Sequence, residues 1–531
     1  MKQTMRQHSF TSRLKSLAVV FGIALAFASC ANEDVPQNPT DPNKDNDKNL
    51  TTFMAGGETR TSLNYDSGDF YWEDGDYIYV KDDDGVLQKS TNAPTQKVAA
   101  FKYMVPGKFT ASSSYKVYYL GKNSNGSSVT ISTTQSQTAP DNTEHFGTAG
   151  DYGTATANKV TGKNQFEFEL EHQPAYLVFH PYASNTLLQS CYLTKIEVSS
   201  DNDIASTYTL NASTGTLQSG STGAASDKEI ILSTKGSGAY ANGFPLNTAS
   251  DNVAVNGAYM VIKPGTHTLK VRYWLKDVST GIEGTVTKAF KAFNYDVNNY
   301  YDIDGNLNIR DYDGDHYYMW DAQQQYWYGY EWTKNLATGV GQPTQIFIRS
   351  TNYAQSNTDS RYWNESYLGN GVSTPATHTS CKDLPNANEM TWYASNGEPR
   401  WDADELWTTM GRLYKGGIWF KKKANISGYN PNTAVGGTDW RTTGNGNRGS
   451  WPVSQTLPSA ADAGNYFYLP ALGYYSTIGQ LYGLASAGLY WSSSGTPWTD
   501  NGAYYLLFNS SNVNVDTNHR QHGLMVEPTF K

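Results

Sequence analysis

Cysteine is scarce in this chain: 531 residues hold three, Cys30, Cys191 and Cys381, far apart from one another. That spacing argues against a disulfide framework or a zinc knuckle, which need clustered pairs, and suits buried thiols at Cys191 and Cys381. Charge is thin as well, at 17% of residues with a net of −9, so the chain has no basic field for nucleic acid. Its one basic run, Lys421–Lys423, reads as a solvated strand end or loop. No H-E-x-x-H, G-x-S-x-G or phosphate-loop pattern occurs. His519 and His522 lack a third ligand and read as a surface pair. These gaps lead to an expectation of no enzymatic activity, no cofactor and no bound metal.

Aromatic residues make up 14% of the chain, and Gly, Ser, Thr and Asn recur throughout. That mixture favours strands and turns, so a mostly β protein is expected. The first thirty residues form an address. Lys2, Arg6, Arg13 and Lys15 precede an apolar stretch, Leu17 to Phe27, that is too short to cross a bilayer of about 30 Å as a helix. Ala28-Ser29-Cys30 closes it in the manner of a bacterial lipobox, with Phe27 where leucine is usual. The expected result is a signal peptide over 1–30 and a lipid on Cys30, holding at least the precursor to a membrane. Glu33-Asp34 resembles an acidic surface-export tag. Residues 31–50, rich in Pro, Asn and Asp, read as a flexible tether.

Short strands follow at regular spacing. Tyr77–Val80 lies between Asp-Gly turns, and Phe166–Leu170 alternates with period 2. Pro174–Phe179 is apolar without a break, as a strand buried on both faces would be. Two antiparallel sandwiches are expected, over 51–172 and 173–310. Glu58-Thr59-Arg60-Thr61, Tyr71-Trp72-Glu73-Asp74-Gly75-Asp76, Phe166–His172 and Met260–Gly265, in that order, resemble the fimbrillin family, Mfa-like branch. The resemblance implies two transthyretin-like β-sandwiches and export as a lipoprotein to the outer membrane, cell surface or fimbrium. It also implies trypsin-like cleavage after Arg60, leaving Thr61 as the mature start. The groove left by the lost strand would then accept a donor strand from another fimbrial subunit.

Residues 311–531 differ in composition: twelve of the fourteen tryptophans lie between Trp320 and Trp498. The oxygen-rich run Asp311–Asp315 invites a calcium reading but lacks the spacing of an EF-hand, and hairpin turns account for it. A helix is expected from Asp402 to about Tyr414, with Asp402 and Glu405 as its capping pair and Leu406, Met410 and Leu413 on one face. Tyr468–Tyr475, Leu489–Ser494, Ala503–Phe508 and Gly523–Pro528 resemble the FISUMP-type domain, which implies a C-type-lectin-like α+β fold. Glu398-Pro399 is followed by Arg400 where sugar-binding lectins usually have Asn, and the two cysteines of formylglycine-generating enzymes are reduced to Cys381. Trp440, Trp451 and Trp498, in Gly/Asn/Ser-rich loops, are the candidate readers of a glycan or a host surface protein. The sequence therefore points to a fimbrial tip adhesin. A glycan-binding lipoprotein that stays on Cys30 and never polymerises is the alternative.

Overall fold

The computed structural model describes residues 6–9, 50–56, 62, 63, 65 and 70–530, leaving out of that last span 123, 125, 212–213, 221–223, 313–314, 334–349, 443–445 and 528–529. The fold is mostly β, in several sheets. The chain divides into two compact units: residues 1–182, 193–269 and 291–306 form the first, and 183–192, 270–290 and 307–531 the second.

In the first unit, Leu50–Ala55 runs parallel to Gln165–Phe168 on one side and antiparallel to Phe101–Pro106 on the other. Alternation decides which side chains go in. Phe53 and Ala55 are fully buried, and Phe53 stacks on Phe166 with ring centroids 5.1 Å apart. Trp72, Tyr103, Val117 and Tyr119 belong to the same core. A second sheet carries Ala175–Phe179, every residue of which is buried. It lies between antiparallel Ala258–Ile262 and parallel Asn299–Ile303, which explains its unbroken apolar run. Arg6–Ser9 pairs antiparallel with the far side of Asn299–Ile303.

In the second unit, Leu269–Asp277, Glu283–Ala289, Arg400–Thr409, Arg412–Lys421 and Tyr466–Pro470 lie side by side. Of the aromatic closing block, residues 466–531, the strands after Tyr466–Pro470 lie in the other sheet, with Ala487–Gly495, Gly502–Asn509 and Asn512–His519 as neighbours and Leu524–Met525 beside Ala487–Gly495. Trp327, Tyr393, Trp407, Phe420, Tyr490 and Phe508 belong to the core of this unit.

The helix expected over Asp402–Tyr414 is not there. Those residues form a hairpin of Arg400–Thr409 with Arg412–Lys421, turning at Met410 and Gly411, whose φ values of 49° and 71° are both left-handed. Two consecutive positive φ values match the hand of a tight hairpin, and Trp407, Thr408 and Thr409 are strand formers. The spacing of Leu406, Met410 and Leu413 mimicked a helical face by coincidence. Among the described residues the long helix is Ala387–Asn396, opened by a full capping box of Asn386 and Glu389. That Asn-x-x-Glu signature stood in the sequence unread. Gly411→Ala separates the two pictures. A helix would gain about 1 kcal/mol from alanine, whereas the left-handed turn is expected to lose about 1 kcal/mol, read as a lower urea midpoint.

Candidate functional site

Of the predicted site residues, Cys30, Arg60 and Thr61 lie outside the described residues, as do Asp313 and Gly314 of the acidic run. The three tryptophans are all placed. Trp440 is a core residue, 8% exposed, with its ring 6.1 Å from that of Tyr504. The Tyr504 hydroxyl donates to its carbonyl at 3.0 Å. Trp498 meets the same Tyr504 ring edge-on at 5.8 Å and is partly exposed. Trp451 is also partly exposed and stands in the edge strand Gly449–Pro452, opposite Val513, its indole lying over Gly449. The structure thus joins Trp440 and Trp498 through Tyr504, and leaves Trp451 and Trp498 as the rings with free surface.

Beside Trp498 lies a feature the sequence reading missed. The loop 367–372 lifts Tyr367, Leu368 and Val372 into solvent, at 40%, 57% and 45% exposure. Its tip, Gly369-Asn370-Gly371, has three consecutive left-handed residues. Tyr367 donates its hydroxyl to Pro497 O at 3.4 Å, and Ser373 donates from its backbone to Arg441 O at 2.7 Å, bringing the loop against those of Trp498 and Trp440. A Tyr-Leu pair and a Val flanking Gly-Asn-Gly was the available signal.

Two buried charges fasten this loop. Arg520, fully buried, lies over Trp320 at 4.2 Å and donates to the carbonyls of Asn364 and Ser366, each at 2.8 Å, and of Gly502 at 2.9 Å. Burial draws its pKa down to about 10. Asp321, also fully buried, accepts from Thr377 N at 2.8 Å, His378 N at 2.7 Å and Asn364 Nδ2 at 2.7 Å. Each charge satisfies main-chain groups that would otherwise be costly to bury.

The residues that would serve other chemistries are engaged. Both Glu398 oxygens are held, one by Lys421 and the other by Arg400 at 3.1 Å and Tyr466 at 2.9 Å. The hydrogen bond from Lys421 is the main cause of a carboxyl pKa lowered to about 2. The Cys381 thiol is fully buried, its Sγ accepts from Asp321 N at 3.3 Å, and burial pushes its pKa up to about 12. A thiol so held is inert. His522 stacks on Tyr474 at 5.5 Å, while His519 meets Asn501 at 3.1 Å. Among the described residues no group of three or more His, Cys, Asp or Glu is arranged to hold a metal ion.

Asp402 and Glu405, expected to cap a helix, instead fasten the 270–290 hairpin. Arg272 Nη2 donates to Asp402 Oδ1 at 3.0 Å and to Thr285 Oγ1 at 3.1 Å. Glu405 accepts from Thr285 Oγ1 at 3.0 Å, Thr287 Oγ1 at 2.6 Å and Thr287 N at 2.9 Å. Burial, then the charge of Asp402, outweigh those hydrogen bonds and raise the Glu405 pKa from 4.5 to about 7. A carboxyl raised in the folded state supports folding fully below its unfolded value, and loses that contribution as pH rises through the folded one. Stability is therefore expected to fall between about pH 4.5 and 7, and Glu405→Gln to flatten the fall, measured as urea midpoints across that window. An unchanged slope in the variant would assign the fall to other groups.

No family model matches the chain, and no curated protein matches it. Among solved structures, it is similar to a fimbrial protein from Bacteroides ovatus, at 11% identity over 90% of this chain and 98% of that one, with a TM-score of 0.24. It is also similar to the fimbrial anchor protein Mfa2 from Porphyromonas gingivalis, at 14% identity over 44% of this chain and 80% of that one, with a TM-score of 0.21. Both scores lie below one half.

Proposed function

We propose that this chain is a fimbrial tip subunit, an adhesin that joins other subunits by donor-strand exchange and presents its lectin-like C-terminal domain for attachment. The observation that carries the reading is the seat of Leu50–Ala55. This strand is hydrogen-bonded on both sides and buries Phe53 and Ala55 completely. It is also the segment that a cut after Arg60 releases, together with the tether and the lipid on Cys30. The place it leaves has two walls of main-chain donors and acceptors and apolar pockets at alternate positions, the surface that an extended strand of another subunit fills. A terminal place in the filament is supported by the pairing of the strands in the second unit. Asn512–His519 and Leu524–Met525 are hydrogen-bonded inside their own sheet, a receiver's arrangement rather than a donor's.

Attachment is assigned to the surface of Tyr367, Leu368, Val372 and Trp498, with Trp451 nearby in sequence to the same closing block. Exposed rings and branched side chains on a fastened loop bind at low entropic cost. The ligand is a glycan or a host surface protein. No cofactor takes part.

Mass spectrometry of the surface-exposed protein is expected to find a start at Thr61 with no lipid. A product still lipidated on Cys30 would sink the tip reading and leave the anchored glycan-binding lipoprotein. On glycan and host-protein arrays, the full processed chain is expected to bind, and Trp498→Ala and Leu368→Asp to weaken binding by about tenfold or more at an unchanged unfolding midpoint. Full binding by both variants would move the attachment surface elsewhere.

A further inference from the structure

The sheet built on Ala175–Phe179 carries a second place for an added strand. Arg6–Ser9 occupies the side of Asn299–Ile303 away from Ala175–Phe179, and its register sets Arg6 opposite Asp302, Gln7 opposite Tyr301 and His8 opposite Tyr300. Arg6 belongs to the basic leader that precedes Cys30. Once the leader is removed, the strand that covers this edge in an assembled protein comes from another source.

The chemistry at the edge is acidic. Asp302 is buried, 7% exposed. Tyr65 donates its hydroxyl to Asp302 Oδ1 at 3.0 Å, and His180 Nε2 lies 3.6 Å from the same oxygen. The other nitrogen of His180 meets Asp251. Two carboxylates thus face one imidazole. Burial draws the His180 pKa down, but its hydrogen bond to Asp302 and the charge of Asp251 outweigh it and leave it raised. Tyr65 adds no negative charge, since burial and Asp302 raise its hydroxyl pKa and keep it neutral. A negative group held this far from water favours a cation brought directly opposite it across the ladder.

We propose that the Asn299–Ile303 edge takes an extended strand of a neighbouring subunit bearing an arginine or lysine opposite Asp302, and that this charge pair selects the partner and its register. The inference rests on the strand-exchange reading above and names the partner's chemistry. Register follows from the pleat: a slip of one residue turns the cation to the other face, towards Tyr301 and Ile303. Tyr301 is fully buried among Phe293 and Tyr295, so that face rejects a charge.

The test uses the chain purified after export, with its leader removed, and a labelled peptide of residues 3–12 as the added strand. Fluorescence polarisation compares that peptide with its Arg6→Lys and Arg6→Asp versions, on the native chain and on Asp302→Asn and Asp302→Lys. The Arg and Lys peptides are expected to bind alike, and charge reversal on either side to weaken binding by about tenfold or more. Combining Asp302→Lys with the Asp peptide is expected to restore most of the loss. The comparison among peptides on the native chain needs no folding of a variant. Equal binding of the Arg and Asp peptides overturns the charge rule alone and leaves strand acceptance standing. Binding of no peptide overturns acceptance at this edge, while a mature start at Thr61 would still uphold exchange through the Leu50–Ala55 place.

Discussion

Main-chain hydrogen bonding on both sides of Leu50–Ala55 is the constraint on which the first unit depends. An edge strand can leave a sheet at the cost of one ladder; this one closes two, and carries Phe53 into the stack on Phe166. The sheet is whole only while the place is filled. Any event that removes this strand creates a demand that a chain of matching alternation satisfies, because buried main-chain groups left without partners are costly. Exchange of one strand for another is then a balanced transaction in hydrogen bonds, and its direction is set by which strand fits the pockets better.

The second unit solves a different problem, that of displaying apolar side chains on a loop without letting the loop collapse. Arg520 and Asp321 do so by spending full charges on main-chain groups rather than on each other. Around them, Trp320 and the Gly369-Asn370-Gly371 turn leave the loop few alternatives. Asp402 and Glu405 work differently, holding the hairpin of 270–290 through the Arg272 ion pair and the hydroxyls of Thr285 and Thr287.

Much of the β architecture was legible because strands announce themselves by period. Ala175–Phe179 read as doubly buried and is; Phe166–Leu170 read as alternating, and Phe166, Phe168 and Leu170 are buried, though the strand itself runs Gln165–Phe168. Of the aromatic closing block, Tyr466–Pro470 joins the sheet of Arg412–Lys421 and the later strands form another. What was not legible depends on distant partners. Asp402 and Glu405 have the spacing of a helix cap, and only Arg272 and Thr287, more than a hundred residues earlier, show that they belong to a hairpin. Trp440 sits in a Gly-rich stretch that suggests exposure, yet the Tyr504 ring covers it. The loop 367–372 was passed over because a single exposed leucine means little in a sequence; its neighbours in space give it meaning.

The seat of Leu50–Ala55 has a mechanical consequence. Its ladder bonds run across the strand, so a strand in this place, when pulled along its own length, loads all of them together in shear. Such a joint does not open bond by bond from one end, as a peeled edge strand would. A filament joined through places of this kind would hold under drag from flowing liquid until the whole ladder fails at once, and resistance would grow with the number of paired residues rather than with the strength of any one contact.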